Sequence, residues 1–345
     1  MGKILFIVTK KCILLTTILL ISALSAWAEH QEGKGGNHFT PPGTAVNLGK
    51  EWLRKKIHYD ISWAKNADVA LTLDQHLYPA LSPIIEQFSK KKGLKVAIQE
   101  GTCGISAGLL SKKHVDIGGF CCPPGKMDRL PGLQYHTLGI AALGILVNTK
   151  NPLNDLSVKT IRDLFRGEIR NWSALSPTRK KKSLQHPVRV IARPHCKHRP
   201  GHWRLILDNE DLFSLRADEV ASIKDMITKV ANLPGAIGYE VLWNIKHHHA
   251  EDKIKFLRVG GADPGRADDL ASAEYPFYRV YNITTWRQGS GMENKAAAAM
   301  VQYILSHLHE VKPDFSLIPA DQLRQTGWLF EEDELVGKPS TRQGS

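Results

Sequence analysis

Cysteine and histidine carry the most reactive chemistry in this 345-residue chain. Four of the five cysteines, Cys103, Cys121, Cys122 and Cys196, lie in the body of the sequence, and the fifth, Cys12, sits in an apolar leader. Thiolate sulfur and imidazole nitrogen are soft or borderline donors, suited to copper(I), zinc or a thiophilic metalloid. Cys196 stands in a dense stretch, Arg193-Pro194-His195-Cys196-Lys197-His198-Arg199-Pro200-Gly201-His202, where a guanidinium that can hold an oxyanion neighbours a thiol and three imidazoles. An even cysteine count in an exported chain is equally the pattern of disulfides, for example from Cys103 or Cys196 to the Cys121-Cys122 pair. A bond within that adjacent pair would be strained. Metal ligation, disulfides and a disulfide-stapled oxyanion site all remain open at this level.

Other chemistry loses its entry points. The chain has no G-x-G-x-x-G, G-x-x-x-x-G-K-[ST] or H-E-x-x-H, and no C-x-x-C, so nucleotide, zincin and thioredoxin-type chemistry is not recruited. A thiol-dependent metalloenzyme, with Cys103, Cys121 and Cys196 as ligands and a histidine as acid or base, is the alternative to a binding protein. His247-His248-His249 falls in a stretch that reads as an exposed loop. Trp172 reads as core, and Trp203 as core or cleft lining. The basic run Arg179-Lys180-Lys181-Lys182 lies between Pro177 and Pro187 and reads as a solvated loop. No aromatic-interleaved basic motif accompanies it, which argues against nucleic acid as a partner.

The elements that must position these residues alternate along the chain. Apolar periodicity predicts strands at Val69–Leu73, Leu94–Ile98, Val115–Gly118, Ile140–Val147 and Val188–Ala192, with a further alternating run from Ile57 to Trp63. It predicts helices at Ala80–Lys91, Ile105–Leu110, Val158–Phe165, Pro200–Leu207 and Ile223–Ala231. That order is an α/β architecture with a largely parallel sheet, in which ligands collect where strands end and helices begin. Pro200 as a first helical residue would leave Lys197, His198 and Arg199 beside a positive helix end, an environment that lowers a thiol pKa and favours anions.

Forty-six Lys and Arg against 34 Asp and Glu, with 42% hydrophobic residues, describe an ordinary globular chain. Lys3, Lys10 and Lys11 precede an apolar run from Cys12 to Leu24, and Ala26-Trp27-Ala28 follows. This predicts a signal peptide over residues 1–28, cleaved to leave a soluble periplasmic or otherwise extracytoplasmic protein, and its loss lowers the net charge from +12 to +9. Gly- and Pro-rich residues follow, so 29–66 reads as an arm or linker and 336–345 as a tail.

Several segments together resemble the periplasmic phosphate-binding proteins that feed ABC importers. They are Leu164-Phe165-Arg166-Gly167-Glu168-Ile169 with Asn171-Trp172, and Val230-Ala231-Asn232-Leu233-Pro234-Gly235-Ala236-Ile237-Gly238-Tyr239, flanked by Val115–Gly119, Val147-Asn148 and Tyr275–Arg279. The resemblance implies a two-lobed binding-protein fold of type II with a two-segment hinge. Lobe one would be 67–150 plus 272–335, and lobe two 151–271. It implies a monomer that takes a small ligand and serves an importer or a membrane sensor, without catalysis.

The four loops that surround the oxyanion in that family are rewritten here. The first brings His76, within Asp74-Gln75-His76, and the second brings Thr102 and Cys103 where the family uses serines. In the third, Cys121 falls where the family has its anion-contacting Asp, with Cys122 beside it. In the fourth, Arg193 keeps its place, followed by His195, Cys196, Lys197 and His198. The resemblance therefore implies that Cys103, Cys121 and Cys196, with His195, converge on one cleft as candidate ligands for copper, zinc or a metalloid. It also implies weak phosphate binding, because a thiol is a poor donor.

Overall fold

The computed structural model describes residues 38–43, 45–175 and 185–339, all within one compact unit from His38 to Ser345. The leader, and with it the signal-peptide reading, lies outside the described residues, as does the run Arg179–Lys182. Among the described residues no helix is long and apolar enough to cross a membrane.

Three parallel strands open the fold: β1 (Val69–Asp74), with β2 (Val96–Gly101) on one side and β3 (Ile117–Phe120) on the other. Helix α1 (Leu77–Lys92) follows β1 and buries Leu77, Leu81, Ile84, Ile85 and Phe88, an i, i+4, i+7 stripe that faces the sheet. Gly93, at φ 65°, ends it and returns its N–H to the Ser89 carbonyl. Helix α2 (Cys103–Ser111) follows β2, capped by the Thr102 side chain.

A 16-residue strand, β4 (Leu133–Asn148), then runs through both halves of the molecule. Its first part pairs antiparallel with the late strand Tyr278–Trp286, and its second part, Leu143–Val147, pairs antiparallel with Ala236–Val241. The chain between supplies helix α3 (Val158–Arg166), strand β5 (Arg189–Ala192), helix α4 (Ile223–Asn232), strand β6 (Ala236–Val241) and helix α5 (Leu242–His247). β5 lies parallel to β6, and the chain returns through β7 (Tyr278–Trp286) to pair antiparallel with β3.

Apolar side chains gather in two clusters. One joins the second half of β4 to α3, β5, α4 and β6; the other joins β1, α1, α2 and β3 to the later part of β7. β4 and β7 contribute to both, so two crossing strands tie the halves together.

Three expectations are corrected. Ile57–Trp63 is no strand: the chain is extended, turns once at Ser62–Ala64, and lays Ile57, Tyr59, Ile61 and Trp63 against the second cluster. Its alternation reflects one half-buried face without a ladder partner; Tyr59 instead donates to Asp116 Oδ2 at 2.5 Å. Pro200–Leu207 is only a short 3-10 turn at His202–Leu205, because Gly201 at φ 82° and His202 at φ 43° are left-handed. Residues 242–247 are helical rather than loop, with His247 stacked on Trp243 at 4.5 Å. Trp172 is core, its indole N–H donating to the Gly235 carbonyl at 2.9 Å.

Candidate functional site

The loops after β1, β2 and β5 line one cleft of about 460 Å³, with Asp74, Thr102, Arg193, His195, Cys196 and Arg199 among the lining residues, and the loop after β3 packs against them. Two close approaches let them meet. A Cβ on Gly125 would lie 2.5 Å from the His198 carbonyl oxygen, and one on Gly201 would lie 2.9 Å from Pro123 Cδ. The loop after β5 thereby leaves its own cluster and packs Cys196 against the other one. Cys196 takes φ 55° and His202 φ 43°, conformations that cost energy for non-glycine residues and collect at functional sites.

All four body cysteines are free thiols. Cys103, the first residue of α2, sits at their centre, 3.4 Å from Cys121 Sγ and 3.7 Å from Cys122 Sγ. It accepts the Cys121 backbone N–H at 3.2 Å and donates to Asp74 Oδ2 at 3.6 Å. The sulfurs of Cys103, Cys122 and Cys196 lie within 4.8 Å of one another, a separation that one metal or metalloid centre can bridge. Asp74, His76 and Cys121 form a second group of the same dimension.

The members of that second group are already engaged. His76 Nδ1 meets Asp74 Oδ1 at 2.7 Å, and its Nε2 meets Glu240 Oε1 at 3.2 Å. Arg279 Nη1 donates to Cys121 Sγ at 3.4 Å, while its Nη2 lies 3.7 Å from Glu240 Oε1. Glu240 Oε2 lies 3.6 Å from Arg193 Nη2. These groups are all buried, so each charge leans on a neighbour rather than on water.

The protonation states follow from these contacts. Hydrogen bonds from Cys103 and Cys122 outweigh burial and, with Arg279, hold the Cys121 thiol well below the usual range. The same two neighbours hold Cys196 low. Burial pushes Cys103 and Cys122 up. Burial would also raise Glu240, but Arg279, His76 and Arg193 keep it ionised far below the usual carboxylate range. Burial and Arg279 work against a charged His76, yet Asp74 raises it well above an ordinary histidine.

Of the residues singled out from sequence, the structure brings Cys103, Cys122 and Cys196 into one group and Cys121 and His76 into the other. His195 belongs to neither: its Nδ1 faces the Arg193 carbonyl at 2.8 Å, its Nε2 lies 3.5 Å from Arg193 Nη2, and its ring stacks on His202 at 5.1 Å. Thr102 is exposed at the cleft, and its hydroxyl oxygen accepts the Ile105 N–H. Lys197 and His198 line the cleft with exposed side chains. With no helix after Pro200, the polarising groups near the thiols are Arg279 and Arg199, the latter clamped bidentate on Asp128 at 2.6 and 2.8 Å.

Glu240 and Arg279 are the residues that sequence reasoning passed over, along with Asn282, which donates to the Cys122 carbonyl at 3.1 Å beside a register shift in β7. The available signal was a charged residue inside an apolar strand run, as in Ile237-Gly238-Tyr239-Glu240-Val241.

Comparison with known proteins bears on this geometry. A family model described as a PBP superfamily domain matches residues 62–307. The phosphate-binding protein PstS of Bacillus subtilis (strain 168) is 23% identical over 258 residues, covering 72% of this chain and 80% of that protein. A putative phosphate ABC transporter substrate-binding protein with bound phosphate from Clostridium perfringens superposes with a TM-score of 0.59 at 17% identity, over 73% of this chain and 99% of that one. An ABC-type phosphate transport receptor from Vibrio cholerae gives 0.56 at 17%, over 76% and 100%. The two structures share the two-lobed α/β fold with this chain.

Proposed function

This chain belongs to the PBP superfamily, and from that premise we propose that it is an extracytoplasmic solute-binding protein whose cleft takes a thiophilic metal or metalloid in place of phosphate. It acts as a monomer and hands its ligand to a membrane importer or sensor. Lobe one is 67–150 with 272–335 and lobe two is 151–271. The single observation that carries the reading is the convergence of the Cys103, Cys122 and Cys196 sulfurs within 4.8 Å of one another, with Cys196 lining the cleft and the other two buried behind it.

The arginines support it from the other side. Phosphate recognition needs guanidinium groups, hydroxyls and amides free to face the anion. Here Arg193 and Arg279 both lean on Glu240. A phosphate would have to displace a buried carboxylate, and each good hydrogen bond to a charged ligand that is lost costs roughly 1.5–3 kcal/mol.

The test is titration of the reduced protein with cadmium ion and, separately, with inorganic phosphate. Cadmium should raise a near-ultraviolet thiolate-to-metal absorption that Cys196→Ser removes, while phosphate binds weakly or not at all by calorimetry. Tight phosphate binding with no cadmium absorption would return the cleft to an ordinary phosphate receptor.

A further inference from the structure

Resting on the thiophilic reading, we infer that the ligand class is a trivalent metalloid in its neutral hydroxide form, such as arsenous or antimonous acid, captured by Cys103, Cys122 and Cys196. Donor number comes first. The group offers three sulfurs, and the nearest other donors are committed: His76 uses both ring nitrogens, Cys121 takes a hydrogen bond from Arg279, and His195 is held by Arg193. Zinc in a closed site wants four ligands in a tetrahedron. A trivalent metalloid wants three sulfurs in a pyramid, with its lone pair in the fourth direction.

The spacing agrees. With bonds of about 2.3 Å to sulfur, ligands at pyramidal or tetrahedral angles lie about 3.4–3.8 Å apart. Cys103 and Cys122 already lie 3.7 Å apart. Cys196 needs only a small adjustment, and it stands, partly buried, on the irregular loop after β5 that lines the cleft.

Charge separates the candidates further. Arg193 and Arg279 both lie against Glu240, and His76 is held between Asp74 and Glu240, in a buried and mutually paired set beside the three sulfurs. A bare cation entering beside that set must be compensated in a poorly solvated place. A metalloid hydroxide brings no charge. Three metalloid–oxygen bonds break, three metalloid–sulfur bonds form, and each departing hydroxide leaves as water, taking the proton of an incoming thiol or, where the sulfur enters as a thiolate, one from solvent; no electron changes hands.

Equilibrium dialysis of the reduced full chain against arsenous acid, with cadmium and zinc in parallel and elemental mass spectrometry as readout, tests this. One arsenic per chain should bind, more tightly than zinc, and Cys103→Ala, Cys122→Ala and Cys196→Ala should each weaken binding at least about a hundredfold. Cys196 is only partly buried, so its variant keeps the test decisive if the fully buried positions fail to fold. Thiol-dependent cadmium binding without arsenic binding would overturn the metalloid assignment and leave the thiophilic reading standing. Failure of both to bind would end both, and arsenic binding unaffected by Cys196→Ala would reject the three-sulfur site.

Discussion

Glu240 decides what the arginines of this cleft can do. Its two oxygens lie 3.7 Å from Arg279 Nη2 and 3.6 Å from Arg193 Nη2, and Oε1 also accepts the Val241 N–H at 2.9 Å. Glu240→Gln should leave two buried guanidinium groups uncompensated, lowering stability by about 3–5 kcal/mol, and should raise affinity for phosphate, which can take the vacated place. Denaturant titration and calorimetry read the two effects, and unchanged phosphate affinity would show that Glu240 is not the obstacle. His202 supplies a pH signature. Its Nδ1 accepts the Trp203 N–H at 2.8 Å, its Nε2 is buried without a partner, and burial followed by the nearby His195 holds its pKa well below 6.5. Above pH 6.5 the ring is neutral in both folded and unfolded chains. As pH falls below that value the unfolded chain takes the proton first, so stability drops by up to about 1.4 kcal/mol per pH unit. His202→Asn tolerates the left-handed backbone and keeps an acceptor for Trp203, and should flatten this acid slope in pH-dependent urea melts; an unchanged slope would assign it to another group. Cysteine and histidine types were legible from sequence as candidate ligands. Glu240 and Arg279 were not, because their importance lies in strand partners far away in sequence.

At the scale of elements, the cleft depends on how closely the loop after β3 approaches the loop after β5. Gly125 faces the His198 carbonyl oxygen and Gly201 faces Pro123, so both loops are pinned by the absence of a side chain. Gly125→Ala should cost about 1–3 kcal/mol in overpacking and also weaken soft-ion binding, because separating the loops moves Cys196 from Cys103. Urea midpoints together with cadmium titration check this; lost stability with intact binding would show that the loops need not touch. Regular elements were readable where apolar periodicity met a cap, as in α3, which starts at the Ser157 cap and ends at Gly167 at φ 79°. Ile57–Trp63 and Pro200–Leu207 were misread for physical reasons. A half-buried arm has strand periodicity without strand pairing, and a Pro at a helix start signals nothing when a left-handed Gly-His pair follows.

At the scale of the whole molecule, β4 and β7 run through both apolar clusters, and the thiols lie where the loops of the two halves meet. The segments around Leu164–Trp172 and Val230–Tyr239 were enough to suggest the superfamily, and both fall in a capped helix, a turn or a buried strand. The discontinuous halves were not available from periodicity, since strand pairing between Leu133–Ala142 and Tyr278–Trp286 spans well over a hundred residues. If the leader is read correctly, intact mass of the exported protein should place the mature N-terminus at Glu29, and retention of residues 1–28 would contradict it. The central claim is that sulfur, not oxygen or nitrogen, holds the ligand. X-ray absorption at the arsenic edge, on reduced protein carrying one equivalent of arsenous acid, tests it most directly. A shell of three sulfur neighbours, matching Cys103, Cys122 and Cys196, is the predicted result; a shell dominated by oxygen or nitrogen would contradict it.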